Sequence, residues 1–332
     1  MTSSPHPAAW TAATLSSSPD WIQTFTPEEC AELERVAIGE SDSLVECSKR
    51  IPSFQDHLEH GLGAILLRGL PDLSAKPEAH TKEMFLRFAA KLGTPLSQSP
   101  EGNLLFSVKD SGLSSDDPRS RGPNTRKKLS FHTDRCDVIA FLCLQPAASG
   151  GENQIVSSLF LYHHLLRTRP DLCETLCEPF HYLRHTMDQA NELPYVRQPI
   201  FSHEQGHFAA SYLRVLIDRA QASGHPEIPP LTNIQSKALD ALEEAASNPA
   251  FHHRFRLNAG DILLLNNWVT FHRRTEFTDH PHPNKKRHFL RAWLSMPNSR
   301  PLSPQFLENF GAVEAGAVRG GIQSFKKNGS PL

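Results

Sequence analysis

Apolar residues recur at helical spacing in several parts of the chain. Thr26-Pro27-Glu28-Glu29 has the composition of a capping box with proline in the first turn, and an apolar period of about 3.6 residues follows it. Further helices are predicted over 82–92, from Ser157 or Ser158 through Leu166, and over 232–246. Gly93 and Pro170 mark the predicted ends of the first two of these.

Shorter apolar runs between glycine and proline turns predict strands. They lie at 63–68, 129–146, 154–156, 251–257, 261–265 and 287–296, with further strand-like pieces in 178–215. Many short strands with a few helices predict a closed or sandwiched β core with flanking helices. Because no linker or internal repeat divides the chain, residues 21–310 are predicted to form a single domain.

Three polar segments interrupt this pattern. Residues 1–20 are rich in Ser, Pro, Ala and Thr and contain no Lys or Arg, which predicts a disordered leader rather than a signal or transit peptide. Residues 109–128 are dense in turn formers and run towards His132, which predicts a mobile lid, with plain disorder as the alternative. Residues 311–332 are predicted to form a loose C-terminal tail.

The composition excludes several kinds of partner. The 34 basic residues are balanced by 36 acidic ones, so no overall field would attract nucleic acid or an anionic membrane. The longest apolar runs are too short to span a bilayer. Six cysteines without a C-x-x-C pair predict reduced thiols in a cytoplasmic protein. The expected binding partner of the protein is a small molecule.

Two segments that lie far apart carry the candidate chemistry. In Phe131-His132-Thr133-Asp134, the His-x-Asp spacing places both side chains on the same face of an extended segment. The distant His272 offers a second imidazole, which completes the facial triad associated with non-haem Fe(II) oxygenases. Arg287 adds a cation where an acidic cosubstrate would need one. Taken alone, a His-x-Asp pair in a chain with 18 histidines is better explained by a structural ion pair.

With these segments together, the chain resembles the taurine dioxygenase-like (TauD/TfdA) family of Fe(II)- and 2-oxoglutarate-dependent oxygenases. The resemblance spans about residues 60–300, and its matching stretches are Phe131–Asp134, Ser149–Glu152, Gly260–His272 and Arg287–Trp293. It implies a double-stranded β-helix (jelly roll), Fe(II) as the metal, and 2-oxoglutarate and O2 as cosubstrates. The implied activity is the oxidation of an unactivated C–H bond.

The resemblance also implies roles for individual residues. His132, Asp134 and His272 are implied as iron ligands, and Arg287 as the partner of the distal carboxylate of 2-oxoglutarate, for which a bidentate guanidinium is suited. Asn153 stands where the taurine enzyme has a threonine that hydrogen-bonds the cosubstrate, and its amide can still donate a hydrogen bond. Because Asp134 is present, halogenation, which requires loss of this carboxylate, is not expected.

Three further residues are candidate substrate contacts. Arg291 matches a position that holds an anionic group in the taurine enzyme, and strand alternation places it on the same face as Arg287; a surface ion pair is the alternative. Lys128 could meet a carboxylate, although membership of a basic loop explains it better. Trp268 lies beside the metal-binding segment, where core packing is weighed against a wall of the substrate site.

The sequence leaves alternatives open. A metal hydrolase could use the same triad to activate water, and a non-catalytic β-barrel binding protein could retain a degenerate site. The substrate is expected to be a small anionic molecule, such as an amino acid, a sulfonate or another carboxylate. The sequence does not decide among hydroxylation, desaturation and ring closure, nor whether the chain forms a homo-oligomer.

Overall fold

The computed structural model of the chain describes residues 6–71, 73, 76–112, 122–184, 193–282 and 285–322. Within these ranges the α-helices are α1 (Ala12–Ser16), α2 (Pro27–Ala37), α3 (Val45–His60), α4 (Glu78–Leu92), α5 (Ser158–Thr168), α6 (Pro170–Leu176), α7 (Arg214–Ala222), α8 (Asn233–Ser247) and α9 (Leu307–Phe310). Two short 3-10 turns lie at Gly122–Asn124 and Pro304–Phe306.

The strands are short and mostly antiparallel. In chain order they are β1 (Ile22–Thr24), β2 (Ala64–Arg68), β3 (Thr94–Leu96), β4 (Leu105–Val108), β5 (Val138–Gln145), β6 (Ser149–Gly150), β7 (Asn153–Ser157), β8 (Phe180–Leu183), β9 (Tyr195–Gln198), β10 (Phe201–Glu204), β11 (His207–Ala210), β12 (His253–Phe255), β13 (Ile262–Asn266), β14 (Thr270–Arg274), β15 (Phe277–Thr278) and β16 (His288–Ser295). The largest sheet has the order β1-β2-β13-β5-β16-β3, with β4 also paired to β16. A second sheet has the order β12-β7-β14.

Alternation along β13 shows how the large sheet divides the core. Ile262 and Leu264 face a cluster that includes residues of α2, α3 and α4, so these helices cover one face of the sheet. Leu263 and Leu265 face the other way, into a cluster that also contains Ile155 of the second sheet. Because strand side chains alternate with period 2, one strand can serve both clusters. The chain therefore has a β-sheet core with helices on its flanks.

Local sequence signals predict where α2 begins, but they do not predict α3. Thr26 and Glu29 cap α2 reciprocally, as predicted. The helix α3 was not predicted, because Pro52 lies inside it and Leu44 at its N-cap provides no side-chain cap. The prediction that Pro170 ends a helix is wrong in part: α5 ends at Thr168, and Pro170 opens α6 at its first position.

The prediction of a disordered leader over 1–20 is wrong for residues 6–20. This segment forms α1, whose N-cap Thr11 makes a capping box with Thr14. Trp10 and Leu15 are buried, and the Trp10 indole N–H donates to the carbonyl oxygen of Leu62 at 2.9 Å. Burial of large apolar side chains orders a segment whose polar composition alone favours disorder.

The prediction of a loose tail over 311–332 is wrong for residues 311–322. Arg319 is buried, and its Nε donates to Oδ1 of Asp137 at 2.7 Å. The backbone N–H groups of Gly321 and Ile322 donate to the carbonyl oxygens of Arg135 and Ser97, each at 2.8 Å. This segment is therefore held against Arg135 and Asp137, which follow Asp134 in the chain, and against Ser97.

Breaking the Arg319–Asp137 pair is expected to destabilise the protein strongly. Arg319→Ala leaves a buried carboxylate without its cation, which costs about 3–5 kcal/mol of unfolding free energy. The measurement is the urea midpoint followed by circular dichroism. The matched control is Arg169→Ala, which removes the exposed Arg169–Asp171 pair and should leave the midpoint almost unchanged. Equal midpoints for the two variants would contradict the expectation.

Part of the predicted lid can be placed. Residues 113–121 of the 109–128 segment lie outside the described residues, so the lid remains a prediction. Beyond them, the carbonyl oxygens of Thr125 and Lys127 accept hydrogen bonds from Arg274. All six cysteines are described, and none is in a disulfide. Of the helices in the described ranges, none combines the length and the apolar character needed to cross a bilayer.

Candidate active site

His132, Asp134 and His272 come together between the two sheets. One potential ligand atom from each residue lies within 4.8 Å of the other two. Nε2 of His272 is 3.7 Å from Oδ2 of Asp134, and the two imidazole rings have centroids 4.4 Å apart. His272 belongs to β14, and backbone hydrogen bonds of 3.0 Å in both directions join it to His132. The strand pairing of distant segments thus assembles a set of two histidines and one carboxylate, the donor set of a non-haem iron site.

Hydrogen bonds position two of these residues. Nδ1 of His132 lies 2.9 Å from the carbonyl oxygen of Ser130, which can only accept, so Nδ1 carries the proton and Nε2 keeps its lone pair. The backbone N–H of Asp134 donates to Oδ1 of Asn267 at 3.1 Å. Nδ2 of Asn267 in turn donates to the carbonyl oxygen of Cys136. Asn267 therefore holds the Asp134 segment against the strand that carries His272, a role of the kind that outer partners have at metal sites.

The electrostatic surroundings keep Asp134 and His272 in the protonation states that metal binding requires. Burial raises the pKa of the Asp134 carboxyl, but Arg291 together with the neighbouring His132 and His272 outweighs burial, so that the pKa lies below its ordinary value. Burial, with the neighbouring His132, lowers the pKa of His272 to about 3. At neutral pH the site therefore offers a carboxylate and a neutral imidazole.

The low pKa of His272 predicts a dependence of stability on pH. In chelator-treated protein His272 stays neutral down to about pH 3, whereas in the unfolded chain it takes up a proton below about pH 6.5. The unfolding free energy should therefore fall as the pH drops from 6.5 towards 3, and His272→Gln should show a flatter fall. The measurement is urea unfolding of both proteins at several pH values; parallel curves would contradict it.

Arg287 lies in a cavity of about 50 Å³ that also touches the candidate ligands. We call this the arginine cavity; its lining includes His132, Asn153, His272, Arg287 and Arg291. Arg287 is 3 % exposed, and its Nε and Nη1 have no hydrogen-bond partner among the described residues. Its guanidinium carbon lies 3.9 Å from the ring centre of Phe289. Burial, with the nearby charge of Arg274, lowers the pKa of Arg287 to about 9, so it is still a cation at neutral pH.

Asn153 faces the same cavity. Its Nδ2 is buried and has no hydrogen-bond partner in the described part of the chain. The turn before it needs glycine, because a Cβ on Gly150 would lie 2.2 Å from the carbonyl oxygen of Glu276, and its φ is +67°. That close approach lets β6 pair with β15 and brings β7 beside β14, where Asn153 pairs with Arg274.

Arg291 faces the arginine cavity together with Arg287, as strand alternation predicts. Its Nε donates to Oε1 of Gln98 at 2.7 Å, and its Nη1 lies 3.4 Å from Oδ2 of Asp134. The alternative of a surface ion pair is wrong, because Arg291 is 8 % exposed and its partner is a candidate ligand. Gln98 was missed from the sequence, since its contact depends on the packing of residues far apart in the chain.

Two predicted substrate contacts lie elsewhere. Trp268 is buried, its indole N–H donates to Oδ1 of Asp137 at 2.8 Å, and it packs against Phe306 and Phe310. It is therefore a core residue, and the prediction that it forms a wall of the substrate site is wrong. Lys128 is exposed and does not line the arginine cavity, in agreement with the basic-loop interpretation.

A second cavity, of about 90 Å³, adjoins Asp134, and we call it the aspartate cavity. Its lining is mixed, with the polar residues Arg135, Tyr182, Arg184, Gln198, Ser211 and Asn309 and with Leu213, Leu216, Trp293 and Phe310. The polar wall is hydrogen-bonded within itself: Asn309 donates to Gln198 at 2.9 Å, and Gln198 donates to Ser211 at 2.9 Å. None of these residues was a candidate in the sequence; apart from Trp293, which ends the matching stretch Arg287–Trp293, they lie in segments without a motif of their own.

Comparison with known proteins decides the family. The family model described as "Taurine catabolism dioxygenase TauD, TfdA family" matches residues 35–293. The chain belongs to the TauD/TfdA family. It is accordingly a 2-oxoglutarate-dependent non-haem iron dioxygenase, with Fe(II) as its metal. FR-33289 synthase from Streptomyces rubellomurinus (strain ATCC 31215) is 31% identical over 273 residues, which are 81% of this chain and 78% of that protein.

More distant relatives agree with this membership. Taurine hydroxylase-like protein SAT17 from Stachybotrys chartarum (strain CBS 109288 / IBT 7711) is 24% identical over 304 residues, 85% of this chain and 77% of that protein. Among solved structures, an asparagine oxygenase has a TM-score of 0.64 at 18% identity, covering 83% of this chain and 93% of that one. The non-haem iron oxygenase OrfP has a TM-score of 0.59 at 15% identity, covering 82% and 94%. At these identities the structural likeness is one of fold.

The residues of this TauD/TfdA chain fit the groups that the family uses. The His132–Asp134–His272 set has the donor chemistry of an Fe(II) site, and its potential ligand atoms converge. Arg287 and Asn153 present to the same cavity buried donors that have no hydrogen-bond partner within the described ranges. A buried donor that lacks a partner costs free energy, so these two residues suit an acceptor that binds between them.

Proposed function

We propose that the protein oxidises a C–H bond of a small anionic molecule, with His132, Asp134 and His272 as the iron ligands. The observation that carries the proposal is the arginine cavity, which brings His132 and His272 beside a buried guanidinium whose Nε and Nη1 have no hydrogen-bond partner among the described residues. When bound, iron and 2-oxoglutarate supply the oxidising power, with O2, to break an unactivated C–H bond while 2-oxoglutarate becomes succinate and CO2. The protein itself would hold and orient the metal, the cosubstrate and the substrate, and would enclose them away from water.

Arg287 and Asn153 are proposed to hold the distal carboxylate of 2-oxoglutarate. A guanidinium presents parallel N–H groups that match both oxygens of a carboxylate. Because the aromatic rings of Phe277 and Phe289 enclose Arg287, water screens its charge poorly and the orientation of its guanidinium group is fixed. Asn153 would add one amide hydrogen bond to the same carboxylate.

The aspartate cavity is proposed as the place of the substrate. It adjoins Asp134, and its volume of about 90 Å³ has room for roughly six to nine water positions, which suits a molecule the size of a small amino acid. Its leucines and Phe310 would exclude water from the reacting carbon, while the polar wall would orient the substrate. Arg291 lines the arginine cavity rather than the aspartate cavity, and from its place beside Asp134 it is proposed to contact the anionic group of the substrate.

Hydroxylation is the proposed outcome. Two structurally similar proteins are complexed with hydroxylated amino acids: the asparagine oxygenase with 3-hydroxyasparagine and succinate, and OrfP with (3S)-hydroxy-L-Arg. The two facing sheets and these fold neighbours also support a jelly-roll core. A hydrolase with the same triad would give the buried cation of Arg287 no role.

The test is succinate formation by the Fe(II)-loaded protein with 2-oxoglutarate and O2, across a panel of amino acids, sulfonates and aryloxy acids. Stimulation by one class, with a product heavier by one oxygen atom, is the expected result. A product lighter by two hydrogen atoms would replace hydroxylation by desaturation or ring closure. Absence of succinate from protein with verified iron and bound 2-oxoglutarate would contradict the proposed reaction.

A further inference from the structure

A third cavity, of about 480 Å³, lies next to Arg287, and we call it the lysine cavity. Its charged lining consists of Lys76, Lys109, Lys286, Arg287 and His288 on the basic side, with Glu78 and Asp110 on the acidic side. None of the three candidate iron ligands is part of this lining. The cavity is thus outside the site that the triad defines.

The carboxylates of this cavity already have partners. Oε1 of Glu78 accepts a salt bridge from Lys82 at 2.6 Å, and Oδ2 of Asp110 lies 3.0 Å from Nε of Arg126.

Only one of the three lysines of this cavity has a salt-bridge partner among the described residues. Lys76 is paired with Glu34 at 2.7 Å, whereas Lys109 and Lys286 have no carboxylate within 4.0 Å among the described residues. Over the part of the chain that the structure describes, the lysine cavity therefore carries two ammonium groups without a salt-bridge partner beside a buried guanidinium, a surplus of positive charge that favours an anionic ligand.

Strand pairing puts this charge one residue away from the arginine cavity. Val108 of β4 pairs with Phe289 of β16, and both line the arginine cavity. Lys109, which directly follows β4, and His288, which precedes Phe289 on β16, line the lysine cavity. Arg287 lines both cavities. An anion gathered at Lys109 and Lys286 would therefore be adjacent to the residue that we propose as its final partner.

We propose that the lysine cavity is a capture site for the dicarboxylate cosubstrate, from which 2-oxoglutarate passes to Arg287. The inference rests on the proposed function, since it takes Arg287 as the residue that holds the cosubstrate. A dicarboxylate is attracted by the two ammonium groups before it contacts the protein, which raises its association rate without adding a contact in the final complex. This arrangement leaves the aspartate cavity to the substrate.

The experiment follows 2-oxoglutarate binding to the Fe(II)-loaded protein by stopped flow without O2, in wild type and in Lys109→Gln/Lys286→Gln. The double variant is expected to reduce the association rate constant about threefold to tenfold at low ionic strength and to leave the dissociation rate constant unchanged. The difference should close at about 0.5 M salt, where charges more than a few ångströms apart are screened.

A matched control distinguishes the effect of charge in the lysine cavity on the association rate from the effect of the protein's net charge. Lys91→Gln/Lys237→Gln removes the same net charge from exposed positions on α4 and α8 that line none of the three cavities. Equal slowing in both double variants would overturn the proposal, as would a change confined to dissociation, which would make the lysines part of the final binding site. If wild type itself bound no 2-oxoglutarate, the proposed function would fail first, and the two failures are therefore distinguishable.

Discussion

Replacing His272 with alanine is expected to abolish iron binding and turnover together. The change leaves two protein ligands, one imidazole and one carboxylate, where three converge in the wild type. Because loss of an outer partner alone typically costs 10- to 100-fold in metal affinity, loss of a ligand should cost at least about 100-fold. The measurements are the iron content after anaerobic loading and desalting, and succinate formation under the assay conditions described above.

A matched histidine substitution tests whether this effect is specific. His60 is exposed at the end of α3 and lines none of the three cavities, so His60→Ala should retain iron and activity. Circular dichroism would establish that both variants are folded. A folded His272→Ala protein that still binds iron and turns over would rule out the proposed ligand set.

Substitution of Arg287 should separate cosubstrate binding from metal binding. Arg287→Ala removes a buried, charge-assisted partner of the carboxylate, a loss of about 2 kcal/mol or more and hence at least about 30-fold in affinity. Iron binding should persist, because Arg287 is not a candidate ligand. Calorimetric titration of 2-oxoglutarate into iron-loaded protein without O2 measures the first quantity, and metal analysis measures the second.

Lysine at position 287 refines the same experiment. It keeps the charge but lacks the planar fork of donors, so Arg287→Lys should bind 2-oxoglutarate more tightly than the alanine variant and less tightly than wild type. If 2-oxoglutarate bound to Arg287→Ala as tightly as to wild type, the assignment of Arg287 would be wrong, while the metal assignment would be untouched.

The elements that could be predicted from the sequence are those whose signals are local. The capping box of Thr26 and Glu29 lies within a few residues, and it identifies the start of α2 correctly. The strand predicted over 287–296 is observed as β16. Helix α3 escaped prediction because packing of Ile51 and Phe54 in the core compensates for Pro52, and packing cannot be deduced from local preference.

In the candidate site too, some residues could be predicted from the sequence and others could not. His132, Asp134 and His272 could be proposed because their residue types and order match a known pattern, and the structure brings them together. Trp268 was misassigned, since its neighbour in sequence, Asn267, contacts the Asp134 segment while its own indole turns towards Asp137. The direction of side chains along an irregular turn is not fixed by the sequence, so two adjacent residues can have different environments.

The surroundings of the site required the structure. The aspartate cavity is lined by residues from 133 to 322, and its shape depends on how those segments pack. Polar residues such as Gln198 and Ser211 are ordinary surface types in the sequence, and only their mutual hydrogen bond in a buried place distinguishes them. The lysine cavity also required the structure, because its surplus of positive charge depends on which carboxylates form salt bridges with which basic residues.

The Arg319–Asp137 pair has a consequence for protein engineering. The match to the family model ends at residue 293, so a chimera that exchanged the part beyond that boundary with a relative would keep Asp137 and lose its own Arg319. The buried carboxylate of Asp137, directly after the segment that carries Asp134, would then depend on the relative's segment for its cation. For this chain the smallest transplantable unit of the catalytic sheet therefore extends to residue 322, well past the region by which its family is recognised.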